Sequence, residues 1–196
     1  MKLFNKWDTN EIKIQDVALV PYINIEPVLV PRSSGRYGLN RLWGRKMPIV
    51  ERLMNKMMVA GHKGKKHKLT SYKGTGKAVS RYSSVLKTFE IIEKKLNKNP
   101  IEVFVKAIEN AAPREEITTL EYGGARYSQA IDTSPQRRID LVLRFMTQGA
   151  YQKAFNSKKS AEECLADEII AAYNLDQKSA AIAKKLELER QAEASR

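Results

Sequence analysis

Two consecutive glycines near the middle of the chain constrain its fold more than any other feature. Gly123 and Gly124 separate two segments rich in β-branched and aromatic residues, 117–122 and 125–131, and they supply the two positive-φ positions of a tight hairpin turn. The resulting register pairs Tyr122 with Ala125, Glu121 with Arg126 and Leu120 with Tyr127. A lone two-stranded hairpin is marginally stable in water, so we expect it to pack against helices or to project toward a partner.

Most of the remaining chain has helical periodicity. Six helices are predicted, beginning near residues 48, 77, 99, 134, 160 and 179. Asn99 followed by Pro100 and Glu102, and Ser160 followed by Glu163, are typical helix N-termini. Residues 1–47 contain three prolines and three glycines and lack sustained periodicity, so we expect an extension with at most a short strand at 11–14.

The predicted fold class is therefore mainly α. It consists of a bundle of about six helices at 48–196, with a protruding two-stranded β-hairpin at about 117–131 and an irregular basic N-terminal extension at 1–47. The length suits one domain with an extension better than two full domains.

Positive charge is concentrated in one part of the chain. The 196 residues include 35 Lys and Arg against 22 Asp and Glu, a formal net charge of +13, which is typical of proteins with a polyanionic partner. Between Arg41 and Lys87, thirteen Lys and Arg stand against a single acid, Glu51, whereas from Ala161 onward eight acids outnumber five bases. We therefore expect the contact surface to lie toward the N-terminal half.

The glycine-rich stretch GHKGKKHKLTSYKGTGK at 61–77 resembles a mononucleotide-binding loop only superficially. Such a loop needs a glycine five residues before its Gly-Lys pair and a Ser or Thr after that pair. Here Ser71 occupies the first position and Ala78 the last. A small-nucleotide enzyme would show magnesium-dependent ATP or GTP binding at 74–77, and the residues do not favour one.

No other catalytic or metal site is predicted. His62 and His67 are surrounded by lysines that repel a metal ion, and no carboxylate or thiolate is near them in sequence. Cys164 follows two glutamates that raise its pKa, so we expect an inert thiol. No apolar run approaches the roughly 20 residues needed to span a membrane, and one cysteine fits a reducing compartment. We expect a cytosolic protein with no cofactor, no catalytic residue and no membrane partner.

RNA is the favoured polyanion. Aromatic residues among the basic ones, including Trp43 and Tyr82, suit stacking on exposed bases. Arg137 and Arg138 stand in the predicted first turn of a helix, where the helix dipole disfavours cations, and this placement suggests phosphate binding. Double-stranded DNA is a second option, but the spacings of a helix-turn-helix, zinc finger or basic zipper are missing from the sequence.

Four spaced motifs in order give the chain a resemblance to a known family. They are PIVERLMNK at 48–56, NPIEVFVKAIENAAPREE at 99–116, YGGARY at 122–127 and SPQRR at 134–138. Over roughly 48–196 the chain resembles the small-subunit ribosomal protein seven family, in its archaeal and eukaryotic branch and more closely the archaeal form. The resemblance implies a non-enzymatic six-helix domain with a protruding hairpin, in agreement with the periodicity.

The resemblance also implies where RNA is bound. The family's regions are the basic arm, the loop after the first helix, the hairpin and the start of the fourth helix. Carried over by position, they are Arg41, Arg45 and Lys46; Lys63, Lys65, Lys66 and Lys68; Arg126 and Tyr127; and Arg137 and Arg138. The basic segment adds Lys73, Lys77 and Arg81. The hairpin tip, Gly123 and Gly124, is where the family approaches exit-site tRNA.

The partners implied by the resemblance are those of a cytoplasmic ribosome. They are the 3′ domain of small-subunit rRNA, where the protein would start assembly of the head, with exit-site tRNA, the mRNA exit path and ribosomal protein eleven nearby. The chain would act as a monomer within the ribosome. The alternative is a free-standing DNA- or RNA-binding regulator, which would be a dimer with a discrete site.

Overall fold

The computed structural model describes residues 2–61 and 74–196, apart from the side chain of Arg41. Within these residues the helices are α1 Ile49–Met57, α2 Ala78–Leu96, α3 Pro100–Ala111, α4 Pro135–Ala154, α5 Ala161–Tyr173 and α6 Ala180–Glu193. Strands β1 Glu115–Tyr122 and β2 Ala125–Asp132 lie between α3 and α4. Two 3₁₀ helices, Val20–Tyr22 and Arg41–Lys46, interrupt the N-terminal extension. The predicted fold class is confirmed.

Side-chain caps begin α3 and α5 where the sequence predicts them. Asn99 Oδ1 accepts a hydrogen bond from the Ile101 N–H at 3.1 Å, ahead of Pro100 at the first helical position. At the start of α5, Ser160 Oγ accepts from the Glu163 N–H at 3.2 Å, and the Glu163 carboxylate accepts from the Ser160 N–H at 3.1 Å. Each cap satisfies donors that would otherwise be unpaired, which fixes the first turn of its helix.

Helix α3 lies at the centre of the bundle. It packs against α5, α2, α4 and α6, and apolar residues on most of its surface are buried, among them Phe104 and Ile108. The other large, fully buried side chains include Phe89 from α2, Leu143 from α4 and Leu165 from α5. A helix that is apolar on nearly every side must be covered on every side, and this requirement arranges the other helices around α3.

The N-terminal extension is irregular but belongs to the same core. Leu3, Phe4 and Trp7 are buried. The ring of Trp7 meets that of Phe89 edge to face, with 5.8 Å between centroids, and Phe89 lies 5.8 Å from Phe104. Aromatic pairs in this geometry add to the stabilisation from burial alone. The extension is therefore fixed to α2 and α3 by its first residues.

Residues 11–14 do not form the short strand that the sequence allowed. The alternation there buries Ile12 and half-buries Ile14, but the segment pairs with no strand in the described chain. The next backbone donors, the N–H groups of Gln15 and Asp16, are instead bonded to the Glu109 carboxylate of α3, at 2.5 and 3.1 Å. A β-strand needs a neighbouring strand to accept its backbone hydrogen bonds. Here the Glu109 side chain accepts the two bonds that follow the segment.

The hairpin has the predicted register. Tyr122 pairs with Ala125, Glu121 with Arg126 and Leu120 with Tyr127. Gly123 and Gly124 have φ values of 58° and 82°, the left-handed conformations that the two-residue turn requires. Helix α6 packs against β1 near its base, where Glu116 is buried, whereas residues 119–129 are exposed. The hairpin therefore projects from the bundle, as expected.

Candidate RNA-binding surface

The basic arm presents its cations from an anchored turn. Arg45 and Lys46 end the 3₁₀ helix Arg41–Lys46 and are exposed. Asn40 begins this helix by accepting a hydrogen bond from the Leu42 N–H at 3.0 Å. Its other end is held by Asn24. The Asn24 side chain donates to the Lys46 carbonyl at 2.7 Å, and the Asn24 backbone carbonyl accepts from the Ile49 N–H at 2.9 Å. The two cations are thus presented from a defined backbone.

This turn lies against the start of α4. A Cβ at Gly44 would be 3.5 Å from Nε2 of Gln136, so the side chain of Gln136 reaches the turn. Arg137 follows directly, and its side chain is 57% exposed. The structure therefore brings together two predicted regions that are about ninety residues apart in sequence, the arm at 41–46 and the start of α4. We use the name arm–α4 surface for Arg45, Lys46 and Arg137 together with the 3₁₀ turn Arg41–Lys46.

The paired arginines of α4 have different surroundings. Arg137 Nε donates to Glu116 Oε2 at 2.7 Å, yet much of its side chain stays accessible. Arg138 is only 7% exposed; it donates to the Pro113 carbonyl at 3.1 Å and to Asp16 Oδ2 at 2.9 Å. Both arginines therefore have carboxylate partners within the protein. These ion pairs explain cations in the first turn of α4 without any bound phosphate. Arg138 lies too deep to join the arm–α4 surface.

Another arginine of the basic segment is also structural. Arg52 is buried and donates to the Tyr22 carbonyl at 3.0 Å and to Asp140 at 3.4 Å. Burial lowers the pKa of its guanidinium, and Asp140 acts in the opposite direction. Arg52 thus ties the extension to α1 and α4, and it is unavailable to an outside phosphate.

The hairpin carries a second predicted contact region. Arg126 Nε lies 3.5 Å from Glu121, and both side chains are largely exposed. Tyr127 lies opposite Leu120 on the hairpin face that also carries Tyr122, and all three are exposed. Near the glycine tip, the hairpin therefore has one aromatic and apolar face and one charged face.

The start of α2 holds Lys77 and Arg81. Lys77 is exposed at the N-cap position, and its carbonyl accepts from the Arg81 N–H at 3.1 Å. Arg81 is half-buried and lines a cavity of about 230 Å³ together with Met57, Tyr151 and others. Among the residues described, Nε of Arg81 has no hydrogen-bond partner. That nitrogen is buried, so the structure does not show Arg81 presenting it to an outside phosphate.

The structure does not describe the side chains of the remaining residues that were predicted to bind RNA. Lys63, Lys65, Lys66, Lys68 and Lys73 lie outside the described residues, as do His62 and His67, and the side chain of Arg41 is not described. Their proposed role stays a prediction.

The charged side chains around α5 pair with one another. On α5, Asp167 accepts from Lys95 at 2.6 Å and from Lys159 at 3.2 Å. Burial acts to raise the pKa of Asp167, but the two lysines outweigh it and the pKa is lowered. Cys164 is buried, and burial raises the pKa of its thiol, as expected for an inert cysteine. The cations here are largely committed to carboxylates of the same chain.

Residues 2–61 and 74–196 contain no group of three or more His, Cys, Asp or Glu side chains arranged to hold a metal ion. Over the same residues, every helix is too short or too polar to cross a membrane.

The sequence does not indicate which carboxylates pair with the two arginines of α4. Asp16 is 122 residues from Arg138, and Glu116 is 21 residues from Arg137. No local pattern marks either acid as a partner, because the contacts depend on where the extension and β1 cross the start of α4. Glu116 is the last residue of the NPIEVFVKAIENAAPREE motif, but nothing in that motif indicates a contact with Arg137.

Comparison with known proteins agrees with this architecture. A family model described as ribosomal protein S7p/S5e matches residues 21–196. A small ribosomal subunit protein uS7 from Nanoarchaeum equitans is 54% identical over 196 residues, covering 100% of this chain and 99% of the relative. A uS7 protein from Archaeoglobus fulgidus is 48% identical, covering 99% of this chain and 94% of the relative.

A third uS7 relative, from Methanothermobacter thermautotrophicus, is 45% identical and covers 96% of this chain and 95% of its own length. These relatives are archaeal, in line with the branch that the motifs indicated. The matches span the helical bundle, the hairpin and most of the extension. The chain therefore belongs to the ribosomal protein S7p/S5e family.

Proposed function

We propose that this protein is a structural, non-enzymatic component of the small subunit of the cytoplasmic ribosome, and that it binds rRNA directly. More specifically, it is a primary binder of the 3′ domain of small-subunit rRNA and starts assembly of the head. Family membership supports the ribosomal role. The binding site is our inference from the arrangement of charge, and the role in assembly is our inference from the family resemblance.

The observation that carries the proposal is the arm–α4 surface. Arg45 and Lys46 lie on a turn held at both ends, and this turn contacts α4 at Gln136, the residue before the exposed Arg137. Structural cations such as Arg52 and Arg138 are buried with carboxylates or carbonyls, whereas these three extend outward. Exposed, pre-positioned arginine and lysine are suited to the phosphates of a folded RNA, since Arg can contact phosphate with two donors.

The binding mechanism is electrostatic and architectural. Each Lys or Arg that neutralises a phosphate releases condensed counterions, so affinity falls steeply as salt rises. Specificity comes from the match between the protein surface and the shape of the RNA, because folded RNA is recognised largely by shape and by its unpaired bases. The lysine-rich segment at 62–73 would add further phosphate contacts.

The hairpin would extend this footprint toward other ligands of the small subunit. Its exposed tip at Gly123 and Gly124, with Arg126 and Tyr127 on β2, is proposed to lie near exit-site tRNA and the mRNA exit path. The less basic helices α5 and α6 are proposed to face another protein or solvent, with ribosomal protein eleven as the expected protein neighbour. In this arrangement the chain acts as a single copy.

The test is binding of the purified protein to the isolated 3′ domain of small-subunit rRNA, compared with unrelated RNA of equal length. Both titrations are repeated over a range of salt concentrations. We expect tighter binding to the 3′ domain and a logarithmic dependence on salt with a steep negative slope. Equal affinity for the two RNAs would refute the proposed primary binding.

Two triple variants locate the surface. Arg45→Ala/Lys46→Ala/Arg137→Ala should make the salt slope shallower by about 2–3, since each lost phosphate contact changes the slope by about 1. Lys178→Ala/Lys184→Ala/Arg190→Ala removes the same charge from exposed positions between and within the last two helices and should leave the slope nearly unchanged. Equal changes in both variants would mean that net charge, and not this surface, governs binding.

A further inference from the structure

One exposed aromatic side chain stands out beside the cations of the arm–α4 surface. Trp43 belongs to the 3₁₀ helix Arg41–Lys46 and is 40% exposed, whereas the other tryptophan, Trp7, is 5% exposed. Leu42 next to it is also exposed, as is Leu39 just before the helix. Burying an exposed indole releases water from a large apolar surface, which favours binding. A ligand that covers the Trp43 ring would therefore gain affinity.

The surroundings of Trp43 indicate what covers it. Lys46 Nζ lies 5.9 Å from the centre of its ring, and Arg45 is exposed between them in sequence. The carboxylates of an acidic protein surface would meet the cations but offer no flat face to the indole. A nucleotide presents both a phosphate for the cations and a flat base for the indole.

The structure also narrows the choice of stacking residue. Tyr82 lies 5.0 Å from Phe4 within the packing of the extension, and Tyr37 is half-buried. Tyr72 lies outside the described residues. The Trp43 turn is held by hydrogen bonds from Leu42 to Asn40 and from Asn24 to Lys46, so the ring is presented without much further ordering.

We propose that Trp43 stacks on an unpaired nucleobase of the bound RNA, while Arg45 and Lys46 contact its flanking phosphates. This inference rests on the proposed function, because it names a binding subsite on the same surface. Stacking is largely tolerant of base identity, since every base has a flat face. Trp43 therefore anchors a splayed base and contributes affinity rather than sequence discrimination.

Fluorescence of the full-length protein tests the contact directly. The probes are a short oligoadenylate RNA and an abasic oligonucleotide of the same length, which carries the phosphates without bases, both at low salt. We expect oligoadenylate to quench tryptophan emission and the abasic strand to leave it nearly unchanged. In Trp43→Phe only the buried Trp7 remains, so the quenching should disappear. Quenching by the abasic strand, or quenching that persists in Trp43→Phe, would overturn the proposal.

Affinity for the isolated 3′ domain gives an independent readout. Trp43→Ala should bind about 5- to 150-fold more weakly, the loss expected for one stacked base. Trp43→Phe keeps an aromatic face and should retain most of the affinity, and neither variant should change the salt slope because no charge is removed. Leu42→Ala, an exposed apolar change in the same turn, is the control and should bind like the unaltered protein.

Unchanged affinity in Trp43→Ala, or an equal loss in Leu42→Ala, would refute stacking. Folding of each variant is checked from the emission of Trp7 or by circular dichroism. The two proposals fail separately: equal affinity for the 3′ domain and for unrelated RNA removes the proposed primary binding, whereas the oligoadenylate and abasic results decide the role of Trp43 alone.

Discussion

A single glycine in α4 provides the sharpest test of how the bundle is packed. Gly149 is buried where α4 crosses the start of α6. A Cβ added there would lie 2.6 Å from the Cβ of Ala180 and 3.3 Å from the carboxylate carbon of Glu168. Carbon atoms in favourable contact are about 3.5–4.0 Å apart. The two helices would have to separate by about 1 Å to accept Gly149→Ala.

Two effects of this substitution oppose each other. Alanine in a helix interior is favoured over glycine by about 1 kcal/mol. An extra methyl group in a packed core costs about 1–3 kcal/mol, and the upper part of that range applies because the Ala180 Cβ cannot rotate away. Glu168, the other neighbour, is fixed by hydrogen bonds to the start of α6. We therefore expect Gly149→Ala to lower the free energy of unfolding by about 1–2 kcal/mol.

Urea unfolding followed by circular dichroism measures this change. Adding Ala180→Gly removes the opposing methyl group, so the double variant should recover part of the loss, with a favourable coupling of about 1–2 kcal/mol. Ser83→Ala, on the exposed face of α2, is the control for helix propensity and should be neutral or slightly stabilising. A Gly149→Ala protein as stable as the original, or a double variant with no coupling, would refute the close approach of α4 and α6.

Four further substitutions test the charged contacts of the protein. Glu168 is fully buried and accepts from Lys153 at 2.6 Å and from Ser179 at 2.7 Å, so Glu168→Ala should lower the free energy of unfolding in urea by about 3–5 kcal/mol; a loss below about 1 kcal/mol would contradict this. Because the pKa of Asp167 is lower in the folded protein, its ion pairs stabilise the fold above the unfolded pKa, near 3.8, and this contribution is lost as pH falls through the folded pKa. The urea midpoints of the unaltered protein and Asp167→Asn should therefore converge below about pH 4, and parallel curves would exclude the effect. Arg138→Ala should reduce stability by about 2–3 kcal/mol but leave the salt slope of RNA binding unchanged, whereas Arg137→Ala should make it shallower; the same slope change in both would place Arg138 in the RNA contact.

The sequence predicts the elements whose determinants are local. The start of α3 depends on Asn99 and Pro100, and the start of α5 on Ser160 and Glu163, all within four residues of the turn that they cap. The hairpin register depends on the two glycines and on their immediate neighbours. Such features can be predicted because the interacting groups are adjacent in the chain.

The remainder depends on contacts between distant segments. The aromatic contact of Trp7 with Phe89 and the bonds from Gln15 and Asp16 to Glu109 join the extension to helices that lie more than eighty residues away. The same holds for the partner of Arg138, and for the approach of Gly44 to Gln136 that assembles the arm–α4 surface. Charge density favours RNA binding by the N-terminal half, which stays a prediction, and it cannot separate exposed cations from buried ones such as Arg52.

Ultraviolet cross-linking of the protein to the isolated 3′ domain of small-subunit rRNA, with the linked peptides identified by mass spectrometry, tests the central claim most directly. The method makes no prior choice of residues and includes the segment at 62–73. Our account predicts that linked peptides fall in the arm at 41–46, the hairpin around 126–127 and the start of α4 at Arg137, with few from α5 and α6. Cross-links concentrated on α5 and α6, with the arm and the start of α4 unmodified, would contradict it.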